Sequence, residues 1–330
     1  MSKIIIGIHG LGNKPPRALL EIWWKLSIKE GLRSIYRTRL FFDFELVYWA
    51  DILNPRPLDP AIKSHDDPLF LEEPYTREKT IPPDETGGLR SKIMDYTERQ
   101  LDRIFLNDDM SLNFAYITDR IIRRYFSCLE AYYSESVSKD GKGEVPVKEL
   151  IRERLSTLLR RHEGKQILLI GHSMGSIIAY DVLTKSVPDI EIDTFITIGS
   201  PLGLPMIVSK IFSEQKGEKT EIKKVKAPDN IIKHWHNFSD PEDKVALDRT
   251  LHDDYEENGH GVRASDKLVF NDYFINGRRN PHKSFGYLRT PEIAGVIDIF
   301  LEGRFPFIPK RLKYKINGWL YDHMDRIREG

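Results

Sequence analysis

Cysteine is almost absent: Cys128 is the only one in 330 residues. A lone cysteine excludes an internal disulfide framework and a zinc site built on thiolates, and it suits a reducing compartment. No apolar run approaches the roughly 20 residues that span a bilayer. The opening stretch MSKIIIGIHG enters a strand pattern within three residues, without the apolar core and small-residue cleavage site of a secretory leader. A cytoplasmic protein with no transmembrane segment is therefore expected. Net charge is missing too, with 50 Lys+Arg against 50 Asp+Glu, so no global field draws nucleic acid or an anionic membrane. There is no internal repeat. What is present is 40% hydrophobic and 30% charged residues, enough for a large core in one big domain or in one domain carrying an inserted cap.

Continuous apolar runs mark strands buried on both faces of a parallel sheet. Lys3 to His9 is such a run and opens the fold; Glu45 to Ala50, Gln166 to Ile170, Asp193 to Ile198, Ile231 to Phe238 and Lys267 to Phe274 follow. Helical patterns separate several of them. One begins after Pro15-Pro16 with Leu19, Leu20, Trp23, Trp24 and Leu26. Another begins at Pro146, with Val147, Leu150, Ile151, Leu155, Leu158 and Leu159 on one face, and is stopped by Gly164. Strands alternating with helices predict an α/β fold with a doubly wound, mostly parallel sheet.

Gln166 to Val187, QILLIGHSMGSIIAYDVLTKSV, is the stretch with chemistry in it. The strand stops at Gly171-His172-Ser173-Met174-Gly175 and a helix pattern starts at once. A serine at the centre of such a turn is held in a strained conformation with its hydroxyl above the sheet edge, which makes Ser173 a candidate nucleophile. The bland reading of the same turn is a glycine-rich βα connection whose serine caps the helix. The turn His9-Gly10-Leu11-Gly12 does not match the dinucleotide fingerprint, since its glycines run G-x-x-G-x-G from Gly7.

A triad needs an acid and a base further along. Two aspartates compete in Ser239-Asp240-Pro241-Glu242-Asp243: Asp240, which precedes a proline and a short helical run, reads as an N-cap, leaving Asp243 freer, with Asp240 as the alternative acid. His282 lies between the last strand and the last helix, where a triad histidine belongs. His234 and His236 share a strand face, but no third ligand stands at a recognisable spacing, so no metal site is expected. His252, His260 and the acids around them read as solvated surface.

With these pieces in order the chain resembles the α/β-hydrolase superfamily, specifically intracellular lipase- and esterase-like serine hydrolases. The resemblance rests on IIIGIHGLG, IGHSMG, TIGSPLG, NFSDPEDKV and NPHKSFGYL, and it covers residues 1–51 and 144–303. It implies Ser173 as nucleophile, His282 as general base and then acid, and Asp243, which stands before Lys244-Val245 as the family's aspartate commonly does, as the orienter. The amides of Leu11 and Met174 would form the oxyanion hole. The implied reaction is ester hydrolysis through an acyl-enzyme, with no metal or organic cofactor. An acyltransferase or thioesterase on the same triad, and a non-catalytic binding protein on a hydrolase scaffold, are the alternatives.

Residues 52–143 are too long an excursion for a loop and read as an inserted, mainly helical cap, with Phe114, Ile117, Ile121, Tyr125, Leu129 and Tyr132 at helical spacing. Residues 204–229 read either as a lid or as a surface excursion. Leaving the carboxyl edge of the sheet, the cap and the segment Leu204 to Phe212 are expected to roof the triad and favour small-molecule esters with hydrophobic acyl groups. The basic, aromatic tail 304–330 either docks on the body or touches an interface, peripheral membrane contact included.

Overall fold

The computed structural model describes residues 2–37, 41–77, 132–138, 144–216, 224–246, 248–275 and 277–302. The apolar runs become six parallel strands: β1 (Lys3–Ile8), β2 (Phe44–Val47), β3 (Gln166–His172), β4 (Ile192–Ile198), β5 (Ile231–Ser239) and β6 (Ala264–Leu268). Their order across the sheet is β6-β5-β4-β3-β1-β2. The chain thus goes from β1 to a neighbour on one side, then returns to the other side of β1 for β3, so the order in which strands are added reverses between β1 and β3 while all strands stay parallel. A crevice opens at such a switch point, outside the carboxyl ends of the strands.

Alternate side chains of each strand enter opposite layers, which is why the strands are apolar throughout. Ile4, Ile6, Ile8, Ile167 and Leu169 join one core with α2 (Val147–Arg161), α3 (Met174–Lys185) and α4 (Pro205–Lys216). Ile5, Leu168 and Ile170 join the other, with α1 (Arg17–Ser34), α5 (Ser284–Arg289) and α6 (Pro291–Leu301). In α1 the buried residues Leu20, Trp24, Ile28 and Leu32 recur every four positions, a stripe that faces the sheet.

Three expectations change. The last strand was expected over Lys267 to Phe274, but β6 runs from Ala264 to Leu268. After a last ladder bond from the Val269 amide to Ser239, the chain becomes a buried loop. There the Asn271 side chain donates to the carbonyls of Pro281 (2.8 Å) and Lys283 (2.9 Å). A buried loop and a buried strand are equally apolar, so periodicity alone cannot separate them. Second, no helix follows Asp240: its Oδ1 accepts the Glu242 amide at 2.8 Å in a turn, so this residue is not a helix cap. Third, within the expected lid at 204–229, Pro205–Lys216 is a helix that packs Ile207 and Ile211 into the core between β4 and β5, and Val225–Lys226 pairs with Tyr255–Glu256.

Most of the expected cap, including Phe114 to Leu129, lies outside the described residues, as does the tail from 304. The described ends of the insertion are each fastened by a tyrosine, a carboxylate and an arginine. Tyr75 donates to Glu30 at 2.5 Å, beside Arg289, and packs on the core layer of α1 and α5. Tyr132 donates to the buried Asp181 at 3.0 Å, which also accepts from Arg152 at 2.5 Å, within the layer of α2 and α3. The two anchors therefore stand on opposite faces of the sheet.

Candidate active site

Ser173 sits between the end of β3 and the first residue of α3, with φ +53 and ψ −127. A serine there is strained by about 1–3 kcal/mol and persists only because its surroundings impose the turn. Gly171 and Gly175 flank it where a Cβ would collide with backbone, at 2.7 Å from the Ser176 Cα and 2.5 Å from the Ile8 carbonyl oxygen. Met174 opens α3, where the first N–H groups of a helix have no partner inside the helix.

The turn after β1 abuts this elbow, since a Cβ on Gly10 would lie 2.8 Å from the Ser173 Cβ. Its geometry is set by His9, which is buried. The His9 Nδ1 lies 2.7 Å from the Gly10 carbonyl, and its Nε2 receives the Trp49 amide at 3.1 Å. A carbonyl only accepts and an amide only donates, so the ring is neutral with its proton on Nδ1. Burial first, then the charge of Lys14, pulls its pKa down to about 3. Because the Gly10–Leu11 peptide is planar and trans, tying the Gly10 carbonyl to His9 turns the Leu11 N–H to the opposite side.

Asp243 and His282 come together from loops that follow β5 and β6. The His282 Nδ1 is 2.9 Å from each carboxylate oxygen of Asp243. Asp243 is 1% exposed. Burial opposes its ionisation, but the charge of His282 and the bonds from His282, Tyr287 and the Val245 amide outweigh that, holding the carboxyl below its ordinary range. Nδ1 being engaged, His282 has Nε2 left for other chemistry. Gly199, at the end of β4 with φ +52, lies against this pair: a Cβ there would be 2.7 Å from the Asp243 Oδ2 and 3.1 Å from the His282 Nδ1.

Asp240 is occupied elsewhere. Its Oδ2 pairs with Arg279 and accepts the Asn271 amide at 2.6 Å, so it organises the loop after β6. Of the sequence-predicted residues, then, Asp243 and His282 form one pair, Ser173, Met174 and Leu11 stand at the neighbouring ends of β3 and β1, and Asp240 faces away toward Arg279. His234 and His236 stack at 5.5 Å on the sheet face, and no group of three metal-ligating side chains occurs among the described residues.

Sequence reasoning did not single out three contributors. His172 bonds the main chain of His282, Gly199 makes room for the acid–base pair, and Tyr287 bonds Asp243 at 2.7 Å. Tyr287 and Gly199 both lie in stretches that carried the resemblance, but nothing in a linear spacing says that they meet. The described residues contain no helix long and apolar enough to cross a membrane.

No curated protein matches the chain. Residues 129–237, which include β3, the elbow, α3 and β4, match the model of the PGAP1-like alpha/beta domain, a family within the α/β-hydrolase superfamily. A six-stranded parallel sheet flanked by helices on both faces, with a serine elbow at its switch point, agrees with that match: the chain has the α/β-hydrolase fold.

Proposed function

We propose that this chain is a serine hydrolase that cleaves carboxylic esters. The observation that carries the reading is the pairing of the buried Asp243 with the part-exposed His282 at the same sheet edge as a serine held at φ +53. The Ser173 Oγ attacks the ester carbonyl while the His282 Nε2 takes its proton. The oxyanion is held by the amides of Leu11 and Met174, and the imidazolium that forms is stabilised by Asp243. Collapse expels the alcohol, which receives the proton from His282, and water activated by the same imidazole releases the acid from the acyl-enzyme. Leu11, Leu204 and Val208 are half-buried apolar side chains on the layer that contains Met174, which favours hydrophobic acyl groups. The reaction suits a cytoplasmic small-molecule ester and calls on no metal or organic cofactor.

The test is fluorophosphonate labelling and a chain-length panel of chromogenic esters on wild type and Ser173→Ala. Wild type should label and turn over, with preference rising with acyl length, and the variant should do neither while keeping its circular dichroism. Undiminished labelling of the variant overturns the nucleophile. A labelled wild type that passes its acyl group to an alcohol or thiol in preference to water is a transferase, and one that never labels is a binding protein.

A further inference from the structure

Tyr287 lies on α5, five residues beyond His282, yet its hydroxyl reaches the loop that holds the acid. The Asp240 amide lies 2.8 Å from this oxygen and the Asp243 Oδ2 lies 2.7 Å from it. An amide can only donate, so the hydroxyl accepts from Asp240 and its single proton goes to the Asp243 carboxylate. Tyr287 is fully buried. One side chain thus clamps the main chain of the acid loop and shares its carboxylate with His282.

We propose that Tyr287 is a positioning residue for the Asp243–His282 pair, holding the acid loop against the base helix and setting how much of the carboxylate's charge the imidazole feels. The proposal rests on the serine-hydrolase reading above. Among the described residues the Asp243 carboxylate accepts from the Val245 amide at 2.9 Å and the Ala246 amide at 3.5 Å on Oδ1, from the Tyr287 hydroxyl on Oδ2, and from the His282 Nδ1 at equal distance from both. The other charged and titratable groups facing this junction act from further off. Arg249 donates to the Pro241 carbonyl, Arg279 is bound to Asp240, and the neutral His172 ring stands 4.8 Å from that of His282, with Lys283 beside it in the chain. Burial, reinforced by the charges of Asp243 and Asp240, pushes the Tyr287 phenol far above its ordinary value, so it remains a donor throughout the working range.

A tyrosine that merely fills space would alter stability alone, whereas a tyrosine that shares the carboxylate also sets the basicity of His282. Without its hydroxyl more of the Asp243 charge acts on the imidazole, and the protonated imidazole is favoured. In Tyr287→Phe the acid limb of the kcat/KM profile should therefore move up by about 0.5–1 pH unit, and plateau kcat should fall about tenfold with little change in KM. The imidazole titration of His282, followed by NMR in the enzyme without substrate, should move the same way. That second measurement needs no turnover, so absence of Ser173-dependent hydrolysis in wild type would sink the esterase reading while leaving Tyr287 tested. An unmoved limb and an unmoved NMR midpoint, with only Tm lowered, overturn the proposal. If Tyr287→Phe does not fold, 3-fluorotyrosine at position 287 keeps the shape and makes the hydroxyl a stronger donor. Its midpoint should move down, and no movement again overturns the idea.

Discussion

The imidazole of His172, the residue before the elbow serine, donates its Nε2–H to the main-chain carbonyl of His282 at 2.8 Å. The proton must be on Nε2 because a carbonyl only accepts. Burial, and then the charge of His282, holds His172 well below the ordinary histidine range, so it stays neutral near pH 7. The turn that carries the serine is thereby tied to the loop that carries the histidine. In His172→Phe this tie is lost while the volume is kept. We expect kcat to fall about tenfold and stability to fall by about 1–2 kcal/mol, measured by ester turnover and chemical denaturation. Unchanged kcat would show that the base loop holds its place without the bond.

The two aspartates should separate cleanly. Asp243→Asn is expected to lose on the order of 10⁴-fold in kcat, because the imidazole loses the partner that fixes its orientation and stabilises its charge. Asp240→Asn weakens the tie to Arg279 and should lower stability by about 2 kcal/mol while kcat stays within about tenfold of wild type. Exchanged phenotypes in steady-state kinetics and thermal melts would make Asp240 the acid.

Gly199→Ala places a methyl group 2.7 Å from the Asp243 Oδ2 at a residue whose φ is +52. Either the acid–base pair or the strand end must move. A displacement of about 1 Å is worth about 100-fold in rate, and the backbone strain about 1 kcal/mol. Fluorophosphonate labelling should slow in parallel with turnover. A variant with wild-type labelling rate would mean that the pair has room that the geometry denies.

Asp254 offers a pH test away from the site. Burial, and then the charges of Asp248 and Asp253, push its carboxyl up to about 6, and its Oδ2 has no partner among the described residues. The folded protein therefore holds this proton more tightly than the unfolded chain does. Its stabilising contribution is full below about pH 4 and is lost as pH rises through about 6. Asp254→Asn should accordingly be more stable than wild type at pH 8, by about 1 kcal/mol after discounting for a half-exposed site, and unchanged at pH 4. Parallel melting curves at both pH values would show the group to be unperturbed.

Much of the fold is written locally. Strands buried on both faces must be apolar at every position, and helices on a sheet must be apolar at every third or fourth, so β1, β3, β4, α1 and α2 are legible from spacing alone. The elbow is legible for the same reason: strand, strained turn and helix are contiguous in the chain. What lies between loops was decided only by the tertiary structure. Asp240 and Asp243 are three residues apart and chemically alike; they differ because one carboxylate meets Arg279 and the other meets His282, partners 39 positions downstream of each. The stretch after Leu268 reads as strand because burial and β-pairing select the same side chains, and only the Asn271 bonds to Pro281 and Lys283 make it a loop. His172, Gly199 and Tyr287 acquire their roles through contacts that span the sheet edge. Periodicity records which face a residue turns to the core; it holds no record of which distant loop will close upon it.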